Sequence, residues 1–264
     1  MLLLLIGWEG RLLLRIQFIW LIQIKSPLMY KRYFEQKKAV FFDLDGTLAD
    51  TETLWRDAFN NVLGSIGYEW LKCDLPAGNS IESRWDYMIK EGGVDTTTKI
   101  KDLTEATYDV FLRSLNGSGL DVMPGFWELA DDLKTDMNMK LGLVTNTNRR
   151  VADKILEHLQ TLDVFDLTLA GDEVSLKKPD SEIYFTAAQK LQIKPIDILV
   201  FEDSVSGAKA ADKARMDLII IWDGLIDKRK YSKRVLEFFP DFTPLLGNLD
   251  KTFDEMAKEA ILSR

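Results

Sequence analysis

The chain has 264 residues, 46% of them hydrophobic, and a formal net charge of −8. That content suits one large or two modest globular domains rather than disorder, and the acidic balance argues against a nucleic-acid partner. With Cys73 as its one cysteine and His158 as its one histidine, the chain forms no internal disulfide. It cannot build a Cys/His zinc site, and it has no spare histidine for a Ser-His-Asp or Cys-His mechanism. This usage fits a reducing, cytoplasmic compartment. Cys73 reads as an ordinary packing residue and His158 as a structural or exposed one.

The opening segment, 1–28, is irregular. Leu2 to Ile6 is apolar, Glu9, Arg11 and Arg15 interrupt, and Ile16 to Ile24 is apolar again. It lacks the run of about 20 uncharged residues that a membrane span needs and the small-residue cleavage site of a signal peptide. The preferred reading is an extension ahead of a true start at Met29. An interfacial anchor and an uncleaved membrane segment are the alternatives.

Val40, Phe41 and Phe42 form a short β-branched and aromatic run, expected to be a buried strand. It leads directly into Asp43-Leu44-Asp45-Gly46-Thr47. Residues two apart on extended backbone share a side, so both aspartates can face one site, and Gly46 lets the chain turn away. Beyond Glu52 the spacing of Leu54, Ala58, Val62 and Ile66 predicts a helix ending at Gly67. Residues 54–120 carry scattered aromatics and charges with no obvious strand, and read as an inserted helical domain whose exit is Asn116-Gly-Ser-Gly119.

The flanking pieces, 29–53 and 121–264, read as one α/β core. Helices are expected over Phe126–Asp136, Arg149–Leu162, Ser181–Leu191 and Val205–Ala214. Strands are expected over Lys140–Val144, Leu167–Ala170, Ile198–Phe201 and Leu218–Trp222. That alternation implies a Rossmann-like parallel sheet with right-handed crossovers. Two further helices are expected near Lys230–Phe238 and Leu249–Leu262.

Each strand ends in polar residues, and a parallel sheet gathers those ends on one edge. They are Asp43 and Asp45, then Thr145 and Asn146, then Lys177 and Lys178, then Glu202 and Asp203. Four carboxylates together repel one another, and hard oxygen donors suit Mg²⁺. One carboxylate can attack phosphorus as a nucleophile. Another, two residues on, can protonate the leaving oxygen and then activate water. Thr145 and Lys178 can hold the phosphoryl oxygens. A calcium loop starting at Asp43 fails, because its fifth, seventh and twelfth positions would be Thr47, Ala49 and Leu54.

These four motifs, in this order, resemble the haloacid-dehalogenase superfamily of phosphohydrolases over about Ala39–Trp222. The resemblance implies that Asp43 is the nucleophile and Asp45 the general acid/base. It implies Mg²⁺ held by Asp43, the Asp45 backbone carbonyl, Asp203 and often Glu202. It implies that Thr145 and Lys178 grip the phosphoryl group, and that the backbone around Asp45 and Asn146 adds donors. Because the dehalogenase branch lacks the second aspartate, Asp45 points to phosphoryl transfer.

The insertion is similar to the cap of the subgroup containing β-phosphoglucomutase and the CbbY-like sugar-phosphate phosphatases, with Glu52 at its acidic position. Two departures stand out: Trp55 lies where those relatives often carry a histidine, and Ile81, not arginine, follows Gly78-Asn-Ser80. Arg84 is then the candidate substitute. Lys177 replaces the usual glycine before the motif lysine and reads as a solvated charge. Glu52, Asn146 and Arg84 are the expected substrate-binding residues, with Trp55, Arg56, Trp85 and Lys90 as further cap candidates.

The expected activity is hydrolysis of a small phosphorylated metabolite, a sugar phosphate, by a monomer or weak dimer that needs no membrane. The alternatives are a phosphosugar mutase and a catalytically quiet, membrane-associated regulator.

Overall fold

The computed structural model describes residues 31–69 and 80–246. By its contacts the chain divides into two units, one of Gln36–Pro244 and one combining Met1–Glu35 with Leu245–Arg264. In the second, the Phe34 and Glu35 amides both bond the Lys31 carbonyl, making a single helical turn. The apolar opening segment, Cys73, the Gly78-Asn79 turn and the expected helix at Leu249–Leu262 lie outside the described residues.

Six strands form one sheet in the order β3-β2-β1-β4-β5-β6. They are β1 (Ala39–Phe42), β2 (Lys140–Val144), β3 (Leu167–Leu169), β4 (Ile198–Glu202), β5 (Asp217–Ile221) and β6 (Val235–Phe239). All five neighbouring pairs are parallel. Helices cross between them: α4 (Phe126–Asp131, continued by a π-helical turn to Asp136), α5 (Arg149–His158), α6 (Glu182–Leu191) and α7 (Val205–Lys213). The α/β core expected from the alternation is present.

β1 is fully buried, as a central strand covered on both faces must be. Its side chains alternate. Phe41 stacks on Tyr184 of α6, with centroids 6.4 Å apart. Phe42 points the other way, against Phe126, Phe201 and Phe242 at 5.6, 5.1 and 5.7 Å. Burying each ring is worth roughly 1.5–3 kcal/mol, so the strand that carries the aspartates is anchored from both sides. Asp43 continues the Phe41 side.

The insertion contains α1 (Glu52–Ser65), α2 (Ile81–Lys90) and α3 (Ile100–Leu115). The buried face of α1 is Trp55, Ala58, Phe59, Val62 and Leu63, which keeps Ala58 and Val62 of the expected stripe, leaves Leu54 and Ile66 half-buried at its edges, and adds Trp55, Phe59 and Leu63. The aromatics explain the additions: Trp55 stacks on Phe111 at 3.7 Å and Phe59 on Trp85 at 4.1 Å. Ser80 caps α2 by accepting the Ser83 amide.

One element differs in kind from its expectation. Lys230–Phe238 is not a helix. A short turn at Lys228–Lys230 precedes β6, which pairs with β5 through a bulge between Leu218 and Ile219. Val235 and the two phenylalanines favour extended backbone, and the free edge of β5 gives them a partner. Among the described residues, no helix is long and apolar enough to cross a membrane.

Candidate active site

Because β2, β1 and β4 are neighbours, their carboxyl ends meet. Asp43 leaves β1 and is 7% exposed. Lys178 fills all three of its donor positions, to Asp43 Oδ1 at 2.6 Å, Glu202 Oε1 at 2.7 Å and the Val144 carbonyl at 2.7 Å. Its loop is fixed by Asn146, whose amide nitrogen donates to the Lys178 carbonyl while its oxygen accepts the Lys178 N–H. Asn146 lines the cavity and also sets the lysine's position.

Glu202 is completely buried. Its Oε1 also accepts from Tyr184 OH at 2.8 Å, and its Oε2 accepts from Ser204 Oγ at 3.1 Å. A β-carbon on Gly207 would lie 1.8 Å from Glu202 Oε1, so only glycine lets α7 approach this closely. Gly46 plays the same part for Asp203: its φ is +79° and a β-carbon would lie 2.3 Å from Asp203 Oδ2.

Ligand oxygens of Asp43, Glu202 and Asp203 lie within 4.8 Å of one another. Asp203 Oδ1 is buried with no hydrogen-bond partner among the described residues. Burial, and then the charges of Glu202 and Asp45 working against Lys178, push the Asp43 carboxyl up to about 8. Asp203 is likewise raised, first by burial and then by Glu202, Asp43 and Glu52. Burial would lower Lys178, but Asp43 and Glu202 outweigh it and raise its affinity for the proton. Ionised together, three clustered acids would outnumber the one ammonium, so their charged forms need a further cation. The orphaned oxygen and the all-oxygen donor set fit a hard divalent cation.

The Asp45 carboxylate stands outside that cluster. Its Oδ1 accepts from Thr51 Oγ1 at 2.6 Å and Trp55 Nε1 at 2.7 Å, and its Oδ2 from Thr147 Oγ1 at 2.6 Å. Its side chain therefore does not join the other acids as the sequence pattern predicts, and Thr147, to which the pattern assigns no role, is one of its donors. Thr145 is buried, and its hydroxyl accepts the Thr147 amide.

On the cap side, Arg84 pairs with Glu52 at 3.1 Å, and both line the cavity with Trp55, Ser80, Ile81 and Tyr108. Arg84 is 6% exposed, and its Nε has no partner among the described residues. The other cap candidates do not reach the cavity. Trp85 is buried in the cap and donates to Thr107, Arg56 is exposed near Asp57, and Lys90 pairs with Asp86. Lys177, read as a solvated charge, instead pairs with Glu82 of α2. His158 is half-buried at the end of α5, and Tyr108, one of the insertion's aromatics with no site role expected from the sequence, lines part of the cavity.

The sequence profile of haloacid dehalogenase-like hydrolases matches residues 40–221. The chain is 31% identical over 192 residues to protein CbbY of Rhodobacter capsulatus, covering 69% of this chain and 84% of that protein. It is also 31% identical over 203 residues to a phosphorylated carbohydrates phosphatase of Thermotoga maritima, covering 76% of this chain and 90% of that one. The crystal structure of CbbY from Rhodobacter sphaeroides with phosphate superposes with a TM-score of 0.71 at 25% identity, covering 78% of this chain and 95% of that one.

Proposed function

The chain belongs to the haloacid dehalogenase-like hydrolase family, and on that footing we propose that it is a Mg²⁺-dependent phosphatase of small sugar phosphates acting through an aspartyl-phosphate. The observation that carries this reading is the split between two acids two residues apart. Asp43 faces Lys178 and the acidic cluster, while Asp45 faces three hydroxyl and indole donors. One environment suits a nucleophile and the other a proton carrier.

Asp43, Asp203 and the Asp45 carbonyl would hold Mg²⁺, with Glu202 fixing Lys178 beside them. The cation supplies charge neutralisation on the phosphoryl oxygens. Asp43 attacks phosphorus, the bond from phosphorus to the sugar oxygen breaks, and Asp45 gives that oxygen its proton. Asp45 then takes a proton from water, which attacks the acyl phosphate and releases Asp43. Lys178, with Thr145, steadies the charge on the phosphoryl group. Thr51 and Thr147 can donate or accept, so they serve both protonation states of Asp45, whereas Trp55 can only donate.

The relatives named for phosphorylated carbohydrates support a sugar phosphate. The Glu52–Arg84 pair offers an acceptor and donors for its hydroxyls. A panel of phosphate esters with Mg²⁺ tests the reading. Sugar monophosphates are expected to release phosphate, and Asp43→Asn to abolish release. No turnover of any ester, or turnover unaffected by Asp43→Asn, overturns it, and interconversion of sugar 1- and 6-phosphates with little phosphate release makes the enzyme a mutase.

A further inference from the structure

Within the acidic cluster, Lys178 holds Asp43, and protein donors hold both oxygens of Glu202. Asp203 differs: its buried Oδ1 has no partner among the described residues. A carboxylate left unheld must be aimed by its backbone. Asp203 stands between the end of β4 and Ser204, the cap of α7. Ser204 Oγ accepts the Gly207 amide in that cap, so the Asp203 carbonyl lies before the helix ladder and needs a partner from elsewhere. Tyr231 provides it, its hydroxyl donating to the Asp203 carbonyl at 2.6 Å.

Tyr231 is buried although it lies in the loop between β5 and β6. Three side chains keep it there. Its ring meets Phe238 edge-on at 5.5 Å, and Phe238 meets Trp222 at 6.0 Å. Lys228 Nζ sits 4.2 Å from the Trp222 ring centre and 4.6 Å from that of Phe238. Trp222 in turn donates from Nε1 to the Ile226 carbonyl at 2.8 Å. A cation over two rings that meet edge-on is attractive throughout. None of Trp222, Lys228 and Phe238 lines the substrate cavity, so the stack has no direct part in holding a phosphate ester.

We infer that Tyr231 is a positioning residue for the cation site and that the Trp222–Lys228–Phe238 stack is the brace that presents it to Asp203. The inference rests on the Mg²⁺ reading above. Tyr231→Phe keeps the ring on Phe238 but removes the donor. The Asp203 peptide is then free to rotate, and its carboxylate loses its aim. Outer partners of metal ligands typically change metal affinity by about 10- to 100-fold.

The test uses the full chain, with Mn²⁺ binding followed by the paramagnetic resonance of free Mn²⁺, alongside the Mg²⁺ concentration giving half-maximal turnover. Tyr231→Phe is expected to weaken Mn²⁺ binding about tenfold and to raise the Mg²⁺ requirement by a similar factor. The KM for the ester at saturating Mg²⁺ should move less than about twofold, because the residue does not touch the ester's cavity. Lys228→Ala, which loosens the brace without touching Asp203, should weaken Mn²⁺ binding about two- to threefold, and Lys228→Arg should restore it. Mn²⁺ binding unchanged in Tyr231→Phe, or a fall in kcat with no change in Mn²⁺ binding, overturns the inference. A wild-type protein that binds neither cation overturns the Mg²⁺ reading and the inference together. A wild type that binds, beside a Tyr231→Phe variant that binds equally, overturns the inference alone.

Discussion

Asp43 and Asp45 leave the same strand and would be chemically alike in water, so their difference comes wholly from partners. Lys178 reaches Asp43, while Thr51, Thr147 and Trp55 surround Asp45. Trp55 is the partner contributed by the cap helix α1, and its ring stacks on Phe111 at 3.7 Å. Trp55→Phe should keep most of that stacking and lose the indole N–H. A hydrogen bond to a charged group contributes about 1.5–3 kcal/mol, and two hydroxyls remain, so kcat should fall about tenfold, equivalent to about 1.4 kcal/mol. KM should hardly move, while the thermal midpoint should fall by a few degrees, because Trp55 is buried and the smaller ring leaves both a void and one bond fewer. Steady-state kinetics on the two proteins decide it, and an unchanged kcat would show that the indole has no part in placing Asp45.

At the scale of elements, one carboxylate ties two strands at the end opposite the site. Asp166, just before β3, accepts from Lys140 Nζ at 2.8 Å and from the Leu141 amide of β2 at 2.9 Å. Partial burial works to raise its pKa, but the Lys140 and Leu141 donors outweigh it and hold it below 3.8. A depressed carboxyl stabilises the fold above its unfolded value and loses that contribution as pH falls through the folded value. Solvent screening of the exposed Lys140 keeps the effect small. Asp166→Asn should therefore lower stability by up to about 1 kcal/mol at pH 7, with the difference closing below about pH 4. Urea midpoints of both proteins across that range measure it, and a gap that widens in acid would contradict the sign. Elements of this kind were legible wherever the pattern was local. The strand ends carrying Asp43, Thr145, Lys178 and Glu202 were readable because a parallel sheet must gather them. β6 was not, because its partner β5 determines its form, and Lys228–Phe238 by itself carries helix formers beside β formers. Thr147, Tyr184 and Tyr231 were invisible for the same reason. Their bonds to Asp45, Glu202 and Asp203 span 102, 18 and 28 residues, and no spacing rule reaches that far.

Across the whole of Gln36–Pro244, charged pairs join the helical insertion to the core around the cavity. Lys177 meets Glu82 at 3.2 Å, and Arg150 meets Glu105 at 2.9 Å and Asp109 at 3.1 Å. All are at least a quarter exposed, so each contributes only about 0–1 kcal/mol to stability. For a two-state closure the same magnitude matters more, since about 1 kcal/mol shifts an open-to-closed ratio roughly fivefold. These pairs form in the arrangement where Trp55 also reaches Asp45, so they favour it; on the function proposed above, it is the arrangement in which the acid/base is held. Exposed pairs weaken with salt, because the screening length shortens from about 10 Å at 0.1 M to 3 Å at 1 M. The KM of the wild type should therefore rise with ionic strength through two contributions, substrate attraction and cap closure. A Lys177→Ala/Arg150→Ala double variant retains only the first. Its KM should be about two- to fivefold higher than wild type at low salt and should converge on the wild-type value near 0.5 M NaCl. Parallel salt slopes for the two proteins would show that the pairs leave closure unaffected. A kcat that falls with KM unchanged would assign them to the chemistry instead.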